Sequence, residues 1–336
     1  MMKEYLQKLV ERTDLTKSET TSVFDTIMDG GATPAQIAAL LVALRMKGET
    51  AQEIAAAASS MRRHAVFIDT RGLPAVDTCG TGGDSLNTFN VSTSAALVAS
   101  GAGIRVAKHG NRAMSSKCGS ADVLAALGVN IEAPIDVVEE CIQEAGIGFL
   151  YAPLLHPAMK YAGPVRREMG IRSIFNMLGP LTNPAGATGQ ILGVFSPELT
   201  EPFAAALKDL GSKRAMIVHG ADGMDEITTT TTTRVSELRD GSIRTYELDP
   251  LQYIDGYATL KDLEGGEPSR NAEILRGILS GKAGPGRDIV CLNAAGAIVA
   301  GGAADDLAQG MLLAQKAIDN GKAAGALEKL VALTNA

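Results

Sequence analysis

Residues 77–96 read DTCGTGGDSLNTFNVSTSAA and join a strand-like run (LPAV, 73–76) to a helix-like run (SAALVA, 94–99). Glycines at 80, 82 and 83 follow the strand-like run, where they allow a sharp turn and a close approach of the backbone to a ligand. The next helix begins near residues 90–93, and its unpaired N–H groups and dipole favour an anion. The stretch therefore predicts a strand–loop–helix unit that binds a phosphate group. Helix capping by Ser92 and Thr93 is the alternative, and the spacing matches neither G-x-G-x-x-G nor a Walker A loop.

The same alternation of strands and helices continues along the chain. Apolar runs typical of strands occur at 75–78, 104–109, 146–152, 189–195 and 214–220. Helical runs occur at 94–103, 120–129, 136–146 and 199–211, and four more follow Ser269. Strands that alternate with helices of about ten residues predict a mainly parallel sheet with right-handed crossovers. The six consecutive threonines at 228–233 fit a strand or an extended loop better than a helix.

Residues 1 to about 65 contain only helical patterns. Thr33-Pro34-Ala35-Gln36 combines a hydroxyl cap, a proline in the first turn and a glutamine three residues after the cap, and Gly48 is a suitable end for that helix. Thr50 and Glu53 repeat the capping pattern. We therefore predict an α/β protein with a small all-helical N-terminal domain and a larger α/β domain, in which helices flank a mainly parallel central sheet.

Composition and charge limit the possible functions. The chain has 336 residues, 46% of them hydrophobic, which suggests about two domains with packed cores. The net charge of −7 argues against a nucleic-acid surface, which would need a basic face. We predict a cytoplasmic protein, because no apolar run approaches the ~18 residues that span a bilayer and the N-terminal residues lack the apolar stretch of a signal peptide. Scattered spacing predicts free thiols for Cys79, Cys118, Cys141 and Cys291.

A basic loop is predicted after the second strand-like run. Residues 108–128 read KHGNRAMSSKCGSADVLAALG and combine three cations within ten residues with three serine hydroxyls. Such a set suits an anionic tail such as pyrophosphate, whereas a solvated basic loop is the alternative. The residues in question are Lys108, Arg112, Lys117, Ser115, Ser116 and Ser120.

Two further segments carry candidate binding residues. Asp225 and Glu226 are adjacent after a glycine turn, and a hard cation bound by carboxylates, phosphate oxygens and water would relieve their repulsion. A surface acidic turn is the alternative. Arg166 lies in the otherwise apolar segment 155–184, where its guanidinium suits a carboxylate. His109 and His156 are candidate ligands or wall residues, and we predict neither as a general base.

Together these motifs resemble the anthranilate phosphoribosyltransferase family over nearly the whole chain. Six segments occur in the order of the family: GTGGD (80–84), NTFNVST (87–93), KHGNR to ADVLAALG (108–128), HPAMKYAGPVRRE (156–168), FNMLGPLTNP (175–184) and HGADGMDE (219–226). The resemblance implies the class III nucleoside-phosphorylase/phosphoribosyltransferase fold, usually a homodimer. It implies a helical domain of residues 1–70 with a contribution from about 165–185, and an α/β domain of residues 71–164 and 186–336.

The resemblance also implies a reaction. The 5-phosphoribosyl group would pass from phosphoribosyl pyrophosphate (PRPP) to the amine of anthranilate, with release of pyrophosphate, in tryptophan biosynthesis and with Mg²⁺ as cofactor. A pyrimidine nucleoside phosphorylase of the same fold, which uses free phosphate and no metal, is the alternative. GTGGD and the Asp225–Glu226 pair favour the pyrophosphate substrate.

The matching motifs imply which residues bind each ligand. Those that would bind PRPP are Gly80, Gly83, Asp84, Thr88, Asn90, Val91, Ser92, Thr93, Lys108, His109, Gly110, Asn111, Arg112, Ala113, Met114, Ser115, Ser116 and Ser120. Those that would bind anthranilate or line its path are Gly80, Asn111, Arg166, His109 and His156. Ser92, Asp225 and Glu226 would hold Mg²⁺. No catalytic acid or base is assigned, because positioning and electrostatic stabilisation are expected to carry the reaction.

Overall fold

The N-terminal part of the chain is helical. The structure is a computed structural model that describes residues 2–84, 86–113 and 117–336. Its first helices are α1 (Met2–Val10), α2 (Lys17–Met28), α3 (Pro34–Lys47) and α4 (Ala51–Arg63). Both predicted capping boxes are present, with Thr33 Oγ1 accepting from the Gln36 N–H at 3.3 Å and Thr50 Oγ1 from the Glu53 N–H at 3.2 Å. Gly48 ends α3 with a φ of 91°, as predicted.

Strands and helices alternate over the rest of the chain. The strands are β1 (Val76–Gly80), β2 (Val106–Gly110), β3 (Ile147–Tyr151), β4 (Gly189–Gly193), β5 (Arg214–Gly220), β6 (Thr233–Arg239) and β7 (Ser242–Leu248). The helices are α5 (Val91–Gly101), α6 (Ser120–Ala126), α7 (Ile135–Glu144), α8 (Ala152–Leu155), α9 (Met159–Met169), α10 (Phe175–Leu178), α11 (Thr200–Asp209), α12 (Pro268–Leu279), α13 (Pro285–Ala300), α14 (Leu307–Asp319) and α15 (Lys322–Thr334). The five predicted strands and the four predicted C-terminal helices are confirmed.

All seven strands form one sheet in the order β3-β2-β1-β4-β5-β6-β7. The first five are parallel, as predicted, whereas β6 and β7 form an antiparallel hairpin at one edge that the sequence patterns did not predict. Thr233 begins β6, and the preceding threonines lie in the β5–β6 loop. The chain order reverses between β1 and β4, and ligands of such sheets bind beyond the carboxyl ends of the strands at this switch point.

Two large hydrophobic clusters pack on opposite sides of the sheet. One packs α5 and α12–α15 against strand residues such as Ile191 and Met216 on one face of the sheet. The other packs α1–α4 and α9–α11 against strand residues such as Leu192 and Ile217 on the opposite face. Helices α9 and α10 thus pack with the N-terminal helices, in the region where the resemblance expects an added helical segment, although α9 already begins at Met159. The division into two domains itself stays a prediction.

Two further expectations concern the membrane and the thiols. None of the helices among the described residues is long and apolar enough to cross a bilayer. The four cysteines are free, as predicted, and three of them are buried.

Candidate active site

The glycine loop lies beyond the carboxyl end of β1, at the switch point of the sheet. Gly80 is the last residue of β1, and a Cβ atom there would collide with the Asp225 carboxylate. Gly82 and Gly83 have φ angles of 65° and 88°, a region that side chains disfavour. The Gly82 N–H donates to Asp225 Oδ2 at 2.9 Å. Glycine is therefore required here both for the turn and for close contact with the acidic pair.

The acidic pair lies in the β5–β6 loop and faces the glycine loop and the start of α5. Glu226 Oε1 accepts from the Ser92 N–H at 3.0 Å, so the three predicted metal residues lie together. Burial, reinforced by the Asp84 carboxylate, raises the pKa of Asp225 to about 7. Burial, reinforced by Asp225, raises the pKa of Glu226 well above its usual value. The two carboxylates therefore lie close together where water does not offset their repulsion.

The residues that begin α5 do not cap the helix. Asn90 makes no capping bond; its Nδ2 donates to the Cys118 carbonyl at 3.1 Å, and its Oδ1 accepts from Asn271 Nδ2 at 2.9 Å. Within the described part of the chain, the buried Thr93 Oγ1 has no hydrogen-bond partner. Capping therefore does not account for the hydroxyls at 92 and 93.

Lys108 lies beneath the glycine loop rather than on its surface. The side chain is 2% exposed, and its Nζ donates to the carbonyl of Thr78. Thr78 Oγ1 in turn donates to the Ser92 carbonyl at 3.0 Å, so Lys108 supports the start of α5. Burial lowers the pKa of Lys108, while the neighbouring Asp77 opposes this shift. Direct contact between Lys108 and a pyrophosphate stays a prediction.

The basic loop after β2 is shaped by a carboxylate. Ser120 Oγ donates to the Asn111 carbonyl at 3.3 Å, which brings two predicted residues together. Asp122 accepts from Arg112 Nη1 at 3.0 Å and from the Ala113 N–H at 2.9 Å. Gly110 ends β2. Three residues predicted for this loop, Met114, Ser115 and Ser116, lie outside the described residues.

His109 and His156 form a buried pair whose tautomers follow from their partners. His109 Nδ1 lies 3.2 Å from the Gly179 carbonyl, which can only accept, so Nδ1 carries a proton and donates. His109 Nε2 is then the acceptor for the His156 Nε2–H, at 3.1 Å. Burial lowers the pKa of His109 to about 3 and that of His156 to about 4. Both rings are therefore neutral at pH 7.

The remaining predicted residues are Arg166, Thr88 and Val91. Arg166 on α9 is half-buried, with its guanidinium 5.3 Å from the ring centre of Phe175, and burial lowers its pKa. Among the described residues no hydrogen bond joins the Arg166 side chain to Asn111 or the histidine pair. Thr88 forms an isolated β-bridge with Glu264, and Val91 is buried.

Sequence reasoning missed two polar residues that support the site, Asp77 and Asn183. Asp77 on β1 is fully buried and accepts from the His109 N–H at 3.1 Å and from Asn183 Nδ2 at 2.8 Å. Asn183 also donates to the Ala107 carbonyl at 2.7 Å, so it joins β1 and β2. Burial raises the pKa of Asp77, and the nearby Lys108 opposes that shift. The local signals were their positions in quoted segments, since Asp77 begins the 77–96 stretch and Asn183 belongs to the FNMLGPLTNP motif.

The donor set fits a cation that takes only some of its ligands from the protein. In residues 2–84, 86–113 and 117–336, no three His, Cys, Asp or Glu side chains converge closely enough to hold a metal by themselves. Mg²⁺ characteristically binds through one or two carboxylates and completes its shell with water and substrate oxygens. Burial and the neighbouring carboxylates raise the pKa of Asp225 and Glu226, so a cation beside the pair would favour their charged forms.

Comparison with known proteins identifies relatives over the full chain. The models described as "Glycosyl transferase family, helical bundle domain" and "Glycosyl transferase family, a/b domain" match residues 3–65 and 72–324. Anthranilate phosphoribosyltransferase of Desulfosudis oleivorans is 54% identical over 335 residues, covering 99% of both chains. That of Acetivibrio thermocellus is 53% identical, covering 100% of this chain and 97% of its own.

Solved structures agree with the sequence relatives. The Thermus thermophilus anthranilate phosphoribosyltransferase superposes with a TM-score of 0.94 at 45% identity, covering 99% of both chains. The Saccharomyces cerevisiae enzyme in complex with PRPP and Mg superposes with a TM-score of 0.89 at 30% identity, covering 99% of this chain and 98% of its own. None of these relatives favours the phosphorylase alternative. Because these alignments cover both segments and 99% of the chain, the chain belongs to the anthranilate phosphoribosyltransferase family of glycosyl transferases.

Proposed function

We propose that this chain transfers the 5-phosphoribosyl group of PRPP to the amine of anthranilate and releases pyrophosphate, a step of tryptophan biosynthesis. The observation that carries the proposal is the convergence of the glycine loop, the start of α5 and the Asp225–Glu226 pair at the switch point of the sheet. Backbone N–H groups and carboxylates in this arrangement suit a phosphorylated sugar and a divalent cation.

PRPP would bind along the glycine loop and the start of α5. Gly80, Gly83 and Asp84 would approach it with their backbone, and residues 90–93 would offer the positive end of the helix dipole. Thr88 and the β2–α6 loop with Ser120 would complete the site. That the Saccharomyces cerevisiae relative has been solved in complex with PRPP and Mg supports PRPP as the ligand.

Mg²⁺ would be held by Ser92, Asp225 and Glu226. When bound, it neutralises charge on the departing pyrophosphate. The chain contributes a fixed pair of carboxylates, because Gly82 and Ser92 hold Asp225 and Glu226 by backbone N–H donors. Lys108 adds a buried positive charge behind the pair and lowers the pKa of Glu226 against the effect of burial.

Anthranilate would bind on the helical side of the site. Arg166 has a partly desolvated guanidinium suited to its carboxylate, with Asn111, Gly80 and the histidine pair lining the path. As the C–N bond forms at C1 of the ribose, the C1–O bond to pyrophosphate breaks, and the nitrogen then loses one proton to water or to the released pyrophosphate. The aromatic amine is a neutral nucleophile, so the attack itself needs no base. His109 is unsuited to be one, because one ring nitrogen carries a proton and the other accepts from His156. Positioning and exclusion of water would then lower the barrier.

Association of two copies through the helical part is included in this proposal. Val10, Met46 and Tyr161 are exposed apolar side chains on α1, α3 and α9. Since α3 contacts both α1 and α9, these side chains lie on neighbouring helices and suit a second copy of the chain. Light scattering after size-exclusion chromatography tests this, and a monomer at micromolar concentration would contradict it. The cytoplasmic location stays a prediction.

The deciding experiment follows the fluorescence of anthranilate during turnover. The purified chain should consume anthranilate only when PRPP and Mg²⁺ are both present, and PRPP should be converted to pyrophosphate in equal amount. Omission of each component in turn is the control. Consumption of anthranilate without PRPP, or no consumption in the complete mixture by a folded preparation, would contradict the proposed reaction.

A further inference from the structure

Arg172 connects the helical side of the molecule to the glycine loop. It lies between α9 and α10, directly before Ser173 and Ile174, which are 4% and 0% exposed. These buried neighbours fix the backbone from which the exposed Arg172 side chain extends. Its Nη2 donates to the Gly83 carbonyl at 2.9 Å, between residues 89 positions apart in the chain.

A second contact fixes the same guanidinium. Arg172 lies over the Phe195 ring, with Cζ 4.6 Å from the ring centre. Phe195 follows β4, and its N–H donates to Thr81 Oγ1 at 3.0 Å. Arg172 therefore contacts the loop after β1 directly and the loop after β4 through the aromatic ring. These two loops diverge from neighbouring strands at the switch point, where PRPP would bind.

The hydrogen bond from Arg172 determines the orientation of the Gly83–Asp84 peptide plane. In a planar trans peptide the C=O of one residue and the N–H of the next point in opposite directions. With the Gly83 carbonyl held by Arg172, the Asp84 N–H points away from Arg172. Gly83 has a φ of 88° and no side chain to restrict its backbone, so this orientation needs an external partner. A Cβ at Gly83 would lie 2.6 Å from Arg172 Nη2, which shows how closely the two fit.

We infer that Arg172 is a positioning residue for PRPP, which acts by orienting the Gly83–Asp84 peptide of the glycine loop. The inference rests on the proposed function, which assigns Gly83 and Asp84 to PRPP. Arg172 touches the loop and not the anthranilate residues, so its loss affects the affinity for PRPP and leaves the binding of anthranilate nearly unchanged.

Steady-state kinetics of Arg172→Ala tests this inference. We expect the KM for PRPP to rise about tenfold, because a charge-assisted hydrogen bond and a cation–π contact are lost. The KM for anthranilate should stay within about twofold. Arg172→Lys should recover part of the loss, since it keeps the charge but not the planar stacking on Phe195.

Arg239→Ala is the matched control. Arg239 Nη1 also donates to a backbone carbonyl, that of Asp305, at 3.0 Å. Its backbone lies opposite that of Arg214, the first residue of β5, so Arg239 is at the end of the strands away from the glycine loop. Its removal should leave both KM values unchanged. If Arg172→Ala does not fold, Arg172→Met, which keeps the apolar stem over Phe195, takes its place with the same expected rise.

Two results would overturn the inference. One is an unchanged KM for PRPP in a folded Arg172 variant of an active enzyme. The other is an equal rise in the KM values for PRPP and for anthranilate, which would show that loss of Arg172 disturbs the whole site. An inactive wild-type chain would instead contradict the proposed function, so the two failures are distinguishable.

Discussion

Asn293 of α13 holds the residue that directly follows the acidic pair. Its Oδ1 accepts from the Ile227 N–H at 2.9 Å, and its Nδ2 donates to the Ile227 carbonyl at 2.9 Å. Asn293 is 1% exposed and Ile227 is 0% exposed, so water does not reach these groups. One side-chain amide therefore satisfies both backbone groups of Ile227.

We expect Asn293→Leu to lower the free energy of unfolding by about 4 kcal/mol. Leucine has the same branching as asparagine but neither donates nor accepts, so the N–H and the C=O of Ile227 both remain buried without a partner. Each such group costs about 1–3 kcal/mol, which makes about 4 kcal/mol for two. At about 2 °C per kcal/mol for a chain of this size, the midpoint of thermal unfolding should fall by about 8 °C.

Circular dichroism at 222 nm measures this midpoint, and Asn130→Leu is the control. Asn130 is exposed, and its Oδ1 accepts a single bond, from the Glu132 N–H at 3.1 Å. Because Ile227 follows Glu226, Asn293→Leu should also raise the Mg²⁺ concentration needed for half-maximal turnover. A midpoint no lower than that of Asn130→Leu would refute the reasoning about Ile227.

Three further predictions test the site. Arg166→Ala should raise the KM for anthranilate about tenfold or more, since a charge-assisted bond to its carboxylate is lost; an unchanged KM would remove Arg166 from that subsite. Asp225→Asn combined with Glu226→Gln should abolish most turnover and shift its Mg²⁺ dependence, and full activity would exclude the metal assignment. The folded pKa values of His109 and His156, about 3 and about 4, lie below the ordinary imidazole value of 6.5, so the unfolded state binds protons first as the pH falls. Each histidine should therefore cost about 2 kcal/mol of stability between pH 7 and pH 5. Urea unfolding measures the free energy of unfolding at both pH values, and in His156→Gln its fall between pH 7 and pH 5 should be about half that of the unsubstituted chain. An equal fall in the two proteins would contradict the conclusion that burial lowers the pKa of His156.

Short-range sequence patterns were sufficient to predict most of the secondary-structure elements. The capping box at Thr33 and the glycine at 48 bound α3 because capping bonds and positive φ angles act within a few residues. The five parallel strands are apolar runs, since both of their faces are covered. The β6–β7 hairpin escaped prediction because charged residues such as Arg234, Glu237 and Arg244 interrupt its alternation at a partly exposed edge.

The sequence by itself determined which chemical groups are available, and motif order was enough to predict their roles. Only the tertiary structure decided which groups meet. Gly82 and Asp225 are 143 residues apart, and they touch because β4 and β5 pair next to β1. Neither the raised pKa of Asp225 nor the contact of Arg172 with Gly83 has a local signal. The raised pKa arises because burial removes water from the carboxylate. The contact arises because the fold brings together groups that are far apart along the chain, and their separation in sequence does not predict their distance in space.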